Sequence, residues 1–333
     1  MEYTTIDGTN LKVSRIGLGT WSIGGLGWGG TDQQQAIKTI HAALYRGVNL
    51  IDTAPIYGHG LSEELVGRAL SEYGRRAEIV IATKAGLEWH EDGSITRNSS
   101  RQQLVRELED SLRRLKTDYI DVYQIHWPDL ETPIEETAET LKLFYEQGKI
   151  LAVGVSNFSP EQMHRFRAVA PLNTNQPPYN LFEREIENDT LPYCREHQIS
   201  VLAYGALCRG LLSGRMKPDT RFEGDDVRKS DPKFQSPRFE QYLRAVEELD
   251  QFARKHYRKR VLELALRWLL DQPGVSVALW GARRPEQLAP LDQVMGWRLD
   301  QDAQEQIETI VAHSVKEPVG PEFLAPRLTR AAA

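Results

Sequence analysis

The stretch IDTAPIYGHG, residues 51–60, decides how the chain is read. It continues the apolar run VNL and then sets an aspartate, a tyrosine and several turn formers close together. A strand that leaves the core through Asp52 and presents Tyr57 in a turn-rich loop carries chemistry at its C-terminal end. The same apolar run recurs as RIGLG near 15, EIVIATK near 78, YIDVYQIH near 119 and ILAVGVSN near 150, then as LNTNQ near 172, ISVLAY near 199 and VSVALWG near 275. With VNLID these make eight strands, most followed by an amphipathic helical pattern. Eight β–α units with short connections favour an α/β fold closed as a parallel (β/α)8 barrel over an open doubly wound sheet.

Local signals mark the ends of these units. TDQQ at Thr31, TPIE at Thr132 and SPEQ at Ser159 each predict a hydroxyl cap with Glu or Gln three residues on. The latter two also put proline at the first helical position. Gly148 suits a left-handed stop for a helix over 133–147. A short hairpin turning at IDGTNL precedes the first strand. The 333 residues are expected to form one domain over 1–333. Within it, the Gly-, Pro- and charge-rich segment 205–238 is a long loop at the catalytic face, and 312–333 is a C-terminal arm.

A net charge of −6 gives no basic face for nucleic acid or an anionic membrane. No run of about 18 apolar residues suggests a membrane span, and the N-terminus lacks a signal-peptide pattern. Cys194 and Cys208 form neither a CxxC pair nor a zinc spacing, so a reducing, cytoplasmic setting is expected.

Parallel barrels keep their reactive groups at strand C-termini. There the chain places Asp52, Lys84, His126, Asn157, Gln176 and Tyr204, with Tyr57 just beyond Asp52. Each has an ordinary structural reading by itself: a cap, a solvated strand end, a core histidine. Their collection at one end of successive strands is what independent structural roles do not require. The chemistry that unites them is proton donation to a carbonyl. A free phenol near pKa 10 is a weak acid at neutrality. An adjacent Lys84 ammonium is expected to lower it, with Asp52 holding the lysine. His126 then orients the carbonyl or relays the proton. The amides of Asn157 and Gln176 suit a carboxamide such as that of nicotinamide, and Tyr204 offers a ring to stack on it.

GLGTW at Gly17, IDTAPIYG at Ile51, ATKAG at Ala82, IDVYQIHWPD at Ile120, GVSNFSPEQ at Gly154, NQPPYN at Asn175 and GARRPEQL at Gly281 together resemble the aldo-keto reductases, in the same order and spacing. VGPEFLAP near the end is similar to bacterial members that reduce small aldehydes with NADPH. The resemblance implies a TIM barrel that binds NADP(H) without a Rossmann domain or a metal. It also implies a tetrad of Asp52, Tyr57, Lys84 and His126, with Tyr57 as the acid and the hydride coming from the nicotinamide C4.

The resemblance further implies nicotinamide contacts at Ser156, Asn157, Gln176 and Tyr204, with Thr20 and Trp21 also at the cofactor. Gly205, Leu207, Arg209 and Gly210 match a loop covering the pyrophosphate, although Cys208 stands where the commoner pattern has glycine. Gly281, Ala282, Arg283 and Gln287 match the stretch holding the adenosine 2′-phosphate, which suits Arg283 or Arg284 and favours NADPH over NADH. Leu291 replaces an asparagine often found there.

Residues 25–30, GLGWGG, satisfy the dinucleotide fingerprint in outline, but TWSIG separates them from the strand the glycines should leave. A flexible Gly/Trp loop with Trp28 near the substrate is the better reading. Trp21, Trp89 and Trp127 are expected to wall the substrate pocket. His41, His164 and His197 fall in helical patterns and read as structural or solvated. Only His126 reaches a strand end, and no HExxH occurs, which speaks against a metal-dependent hydrolase. The expected partner is a small carbonyl or alcohol substrate, and the expected state a monomer or weak oligomer. The competing class is a cofactor-bound redox sensor or channel-subunit-like binding protein with slow turnover.

Overall fold

A computed structural model describes residues 1–326. Eight parallel strands close into a barrel in which each pairs with its neighbours in chain order. They are β1 (Ile16–Gly19), β2 (Leu50–Asp52), β3 (Val80–Ala85), β4 (Val122–Ile125), β5 (Val153–Ser156), β6 (Thr174–Gln176), β7 (Ser200–Ala203) and β8 (Val275–Gly281). All eight predicted runs are strands. β8 pairs back on β1, matching Gly281 with Gly19, so no sheet edge remains.

The strands are short because each crosses only the barrel wall. Alternate residues point inward. Leu50, Val80, Ala82, Val122, Ala152, Leu202, Val277 and Leu279 form the buried inner core. Ile6 and Val13 of the N-terminal hairpin Tyr3–Thr5/Lys12–Ser14 join that cluster and close the barrel floor. Each Val, Leu or Ile side chain among them contributes roughly 1.5–3 kcal/mol on burial. A larger apolar layer packs the outer strand faces against the surrounding helices.

Two predicted caps move. Asp32 rather than Thr31 caps Gln33–Tyr45, its carboxylate accepting from the amides of Gln34 and Gln35. Carboxylates and hydroxyls compete for such a place, and the chain geometry favours Asp32. Thr132 spends its hydroxyl on Asp129 at 2.7 Å, so Pro133 takes the cap position of Ile134–Glu146. Ser159 does form a capping box with Gln162, and Gly148 is left-handed at φ 71°.

Two segments rise above the C-terminal mouth. A hairpin, Leu87–Trp89/Ile95–Arg97, interrupts the passage from β3 to the helix Arg101–Leu115. Residues 205–238 form a long connection holding three 3-10 turns before the helix Arg238–Tyr257. The last helix runs Gln301–Ser314, so the arm expected from 312 begins at Val315 and is described as far as Pro326. Residues 327–333 lie outside the described residues.

Candidate active site

The floor of the site follows from strand register. Asp52 pairs with Gly19 on one side and Ala82 on the other. Lys84 lies two residues beyond the inward-facing Ala82 and therefore also points into the barrel. Its Nζ donates to both Asp52 carboxylate oxygens at 2.8 Å and to the Thr53 carbonyl at 2.9 Å. The fully buried ammonium thus has three close acceptors, with the more distant Tyr57 hydroxyl as a fourth. Gln176 Nε2 donates to Asp52 Oδ1 at 2.7 Å, and Tyr57 Oη stands 3.4 Å from Lys84 Nζ.

A small network of hydroxyls aims the loop. Thr20 Oγ1 donates to the Asp52 carbonyl at 2.8 Å and accepts from Ser62 Oγ at 2.7 Å. Beyond Asp52 the chain folds tightly, with Tyr57 N–H on the Ala54 carbonyl and Gly60 N–H on that of Pro55. Gly24 permits this turn: a Cβ there would lie 2.6 Å from the Tyr57 carbonyl carbon. The Tyr57 ring is braced by Trp21, stacked at 6.3 Å, and by the His126 imidazole, edge-on at 5.8 Å.

The electrostatics differ from expectation. Burial, then the Asp52 carboxylate, push the Tyr57 phenol well above its ordinary value rather than below it. The Lys84 ammonium does not outweigh burial, because Asp52, at salt-bridge distance, offsets much of its charge. Burial lowers the Lys84 pKa, with Asp52 opposing. Burial and the Lys84 charge hold His126 well below the usual imidazole range, so it is neutral at pH 7 and able to donate one hydrogen bond.

Above this floor opens a cavity of about 870 Å³, within the span of small-molecule sites. Asp52, Tyr57 and His126 line it, whereas Lys84 is hidden behind them. Trp21, Ser156, Asn157, Gln176 and Tyr204 also line it. So do Gly205, Leu207, Arg209 and Gly210 from the long connection, and Gly281, Arg283 and Gln287 after β8. Among the tryptophans, Trp28, Trp127 and Trp280 join Trp21 on the wall.

Three residues expected at the cofactor or on the substrate wall do not line the cavity. Thr20 is spent within the hydroxyl network that holds Asp52. Ala282 is buried in the outer apolar layer behind Gly281. Trp89 sits on the hairpin, where its ring stacks on His59 at 5.3 Å. Leu291 is likewise buried among apolar neighbours.

Other residues reach the cavity with their polar groups engaged. Asn157, left-handed at φ 61°, donates to the His126 carbonyl and Ser156 Oγ, each at 3.0 Å. Its Oδ1 accepts from Tyr204 Oη at 3.1 Å. Arg209 is clamped by Glu183 and by Asp231, the latter at 2.6 Å. Arg283 donates to the carbonyls of Trp28, at 2.7 Å, and Gly30. Gln287 Oε1 accepts from the Arg283 and Arg284 amides at 2.7 and 3.0 Å.

The Gly/Trp loop and the long connection meet across the mouth. Asp225 accepts from the amides of Gly27 and Gly29 at 2.7 and 2.9 Å, and Val227 N–H donates to the Gly27 carbonyl. The Arg228 guanidinium lies 5.2 Å from the Trp28 ring centre. Sequence reasoning missed Phe222, Arg228, Leu324 and Pro326 on the wall. Their segments carry no period; the basic character of 205–238 was the available signal for Phe222 and Arg228, and the stretch VGPEFLAP for Leu324 and Pro326. Among the described residues no group of His, Cys, Asp and Glu is arranged to hold a metal ion, and no helix is long and apolar enough to cross a membrane.

Comparison with known proteins converges on one family. The model of the Aldo/keto reductase family matches residues 15–312. The chain is 57% identical over 326 residues to "Aldo-keto reductase YhdN" of Bacillus subtilis, covering 98% of each. It is 37% identical to the "NADH-specific methylglyoxal reductase" of Escherichia coli, over 84% of this chain and 89% of that one. The structure of the glycerol dehydrogenase AKR11B4 from Gluconobacter oxydans superposes with a TM-score of 0.88 at 52% identity, covering 97% of this chain and 99% of the other. A closed eight-stranded barrel with an ion pair, a phenol and an imidazole at its mouth, joined to these likenesses, makes the chain a member of the aldo/keto reductase family, an oxidoreductase acting on CH–OH donors.

Proposed function

We propose that this protein reduces small aldehydes and ketones to alcohols with NADPH, and runs in reverse when alcohol and NADP are supplied. The observation that carries the reading is the Tyr57 phenol, 3.4 Å from a lysine that is itself held by both oxygens of Asp52, at the floor of a cavity. A reduced nicotinamide, when bound, supplies the hydride. Tyr57 then gives its proton to the carbonyl oxygen as that oxygen becomes an alkoxide. The raised pKa keeps the phenol protonated at neutral pH, so the proton moves only to a strong base such as the developing alkoxide. Neutral His126 donates a hydrogen bond that orients the same oxygen. Lys84 compensates charge left on the phenolate, and Asp52 with Gln176 fixes the lysine.

The lining fits a phosphate-bearing cofactor. Arg215, Arg221, Arg228 and Arg283 face the cavity alongside the two loop carboxylates Glu223 and Asp226, and guanidinium groups bind phosphate oxygens in pairs. Ser156, Gln176 and Tyr204 would hold the nicotinamide end, and Arg283 with Gln287 the adenosine end. The names of relatives point both ways on the dinucleotide, one NADH-specific and another acting with NADP(+). Arg283 at the adenosine end, where NADPH alone carries a further phosphate, favours NADPH.

The test is loss of absorbance at 340 nm with purified protein, NADPH or NADH, and short aldehydes including glyceraldehyde and methylglyoxal. Turnover with NADPH is expected. Tight NADPH binding with no turnover of any aldehyde would replace the reading with a cofactor-bound sensor.

A further inference from the structure

Arg97 stands outside every role assigned above, yet three segments distant in sequence meet on it. It ends the second strand of the hairpin above the mouth. Its Nη1 donates to the Pro128 carbonyl at 2.9 Å, and its Nε donates to the Pro326 carbonyl at 3.2 Å. The guanidinium carbon lies 5.2 Å from the centre of the Trp127 ring. Trp127, Ile95, Leu324 and Pro326 all line the cavity. One planar cation thus joins the hairpin, the loop after β4 and the C-terminal arm around the apolar end of the site.

The arm needs such a pin. From Val315 to Pro326 it holds one 3-10 turn, Glu322–Leu324. Its earlier part is tied by Lys233 Nζ to the Gly320 carbonyl at 2.9 Å and by Val319 N–H to Tyr242 Oη at 3.3 Å. Beyond Gly320, among the described residues, the hydrogen bond to another segment is the one from Arg97. A segment held by one such hydrogen bond, and by the Arg209 guanidinium 5.5 Å from the Phe323 ring centre, opens locally at little cost. A guanidinium can serve two carbonyls and an aromatic face at once because its donors are spread around a rigid plane, whereas a lysine ammonium is a point charge.

We infer that Arg97 is a positioning residue that pins the C-terminal arm against Trp127 and thereby limits the length of carbonyl substrate the site admits, favouring short chains. This deepens the reductase reading and rests on it. With the pin removed, Leu324 and Pro326 withdraw, the contacts that hold a short substrate weaken, and space opens for a longer alkyl chain.

The experiment uses full-length Arg97→Ala and Arg97→Lys, with NADPH and either glyceraldehyde or octanal. The ratio of kcat/KM for octanal to that for glyceraldehyde is expected to rise at least about tenfold in Arg97→Ala, the scale on which apolar pockets discriminate methylenes. The change should lie mainly in KM. Arg97→Lys keeps the charge but loses the fork, so it should shift the same way, and it guards against a misfolded alanine variant. In parallel, amide hydrogen exchange over 315–326 should accelerate in Arg97→Ala while the helix Arg101–Leu115 stays unchanged. Equal loss of activity on both aldehydes would overturn the role in selectivity, since a merely structural residue lowers both alike. Unchanged exchange over 315–326 would overturn the pin. If the wild type reduces neither aldehyde, the reductase reading falls and the substrate-length role falls with it, while the exchange result still decides whether Arg97 holds the arm.

Discussion

Two of the buried ion clusters among the described residues pair lysine with carboxylates and put them to different uses. In the barrel mouth, Asp52 and Lys84 pair, with Gln176 on the carboxylate. Beneath the long connection, Glu183, Arg209, Asp231 and Lys233 interlock, with Lys233 reaching Glu183 at 2.9 Å and Asp231 at 3.6 Å. Both are dry. They differ in what stands next to the cations. Lys84 has a phenol within reach that faces a cavity, whereas Lys233 spends its remaining hydrogen bond on the Gly320 carbonyl of the arm. A buried ion pair is weak evidence for stability by itself. Its neighbour decides whether it does chemistry or fastens a loop.

The comparison breaks most visibly at Tyr57. Tyr57→Phe keeps the ring between Trp21 and His126 and removes only the hydroxyl. Turnover is expected to fall at least about 100-fold, the scale of general acid catalysis, with NADPH affinity retained. Steady-state kinetics beside a cofactor titration measure both, and undiminished turnover would take Tyr57 out of the mechanism.

Lys233→Met tests the second cluster. Removing one member of a buried network leaves charge uncompensated, at a cost of about 3–5 kcal/mol. For a chain of this size that lowers the melting temperature by roughly 4–7 °C. The kcat should change little. A variant that melts like the wild type but turns over slowly would reverse the roles assigned to the two clusters.

Arg283→Ala asks whether the latch over the mouth also serves the cofactor. Loss of a charged hydrogen-bond partner weakens NADPH by roughly 10- to 100-fold, and NADH by much less. Equal weakening of both in fluorescence titrations would leave Arg283 only its bonds to the Trp28 and Gly30 carbonyls.

The smallest effect concerns another buried carboxylate. Glu107 accepts from Gly86 N–H at 2.8 Å, and burial raises its pKa from 4.5 to about 8. Between those values the folded chain keeps a proton that the unfolded chain has lost. Stability therefore falls as pH rises through that window, by a few kcal/mol at most. Glu107→Gln should flatten this slope in urea unfolding followed across that range. An unchanged slope would show that another group carries it.

Much of this protein is legible in its sequence because the signals are local. A strand needs only a short apolar run, and a parallel barrel puts whatever follows each strand at one mouth. So strand position alone gathers Asp52, Lys84 and His126 at that mouth, and all eight strands stand where the apolar runs predict them. Capping is half legible, since Ser159 and Gln162 form their box whereas Asp32 displaces Thr31.

What tertiary structure alone decided are quantities that depend on several distant groups at once. The direction of the Tyr57 shift required knowing that Asp52 offsets Lys84 and that the phenol is desolvated. Thr20 and Trp89 occupy the right segments but spend themselves on Asp52 and His59, which strand position cannot reveal. The latch of Asp225 on Gly27, and the grip of Arg97 on Pro326, join aperiodic segments roughly 200 residues apart. The sequence by itself determined which elements form and which chemistry lines one end of them. Only the folded chain decided which charges cancel, which rings touch and which loops close, because fields and contacts add over space rather than along the chain.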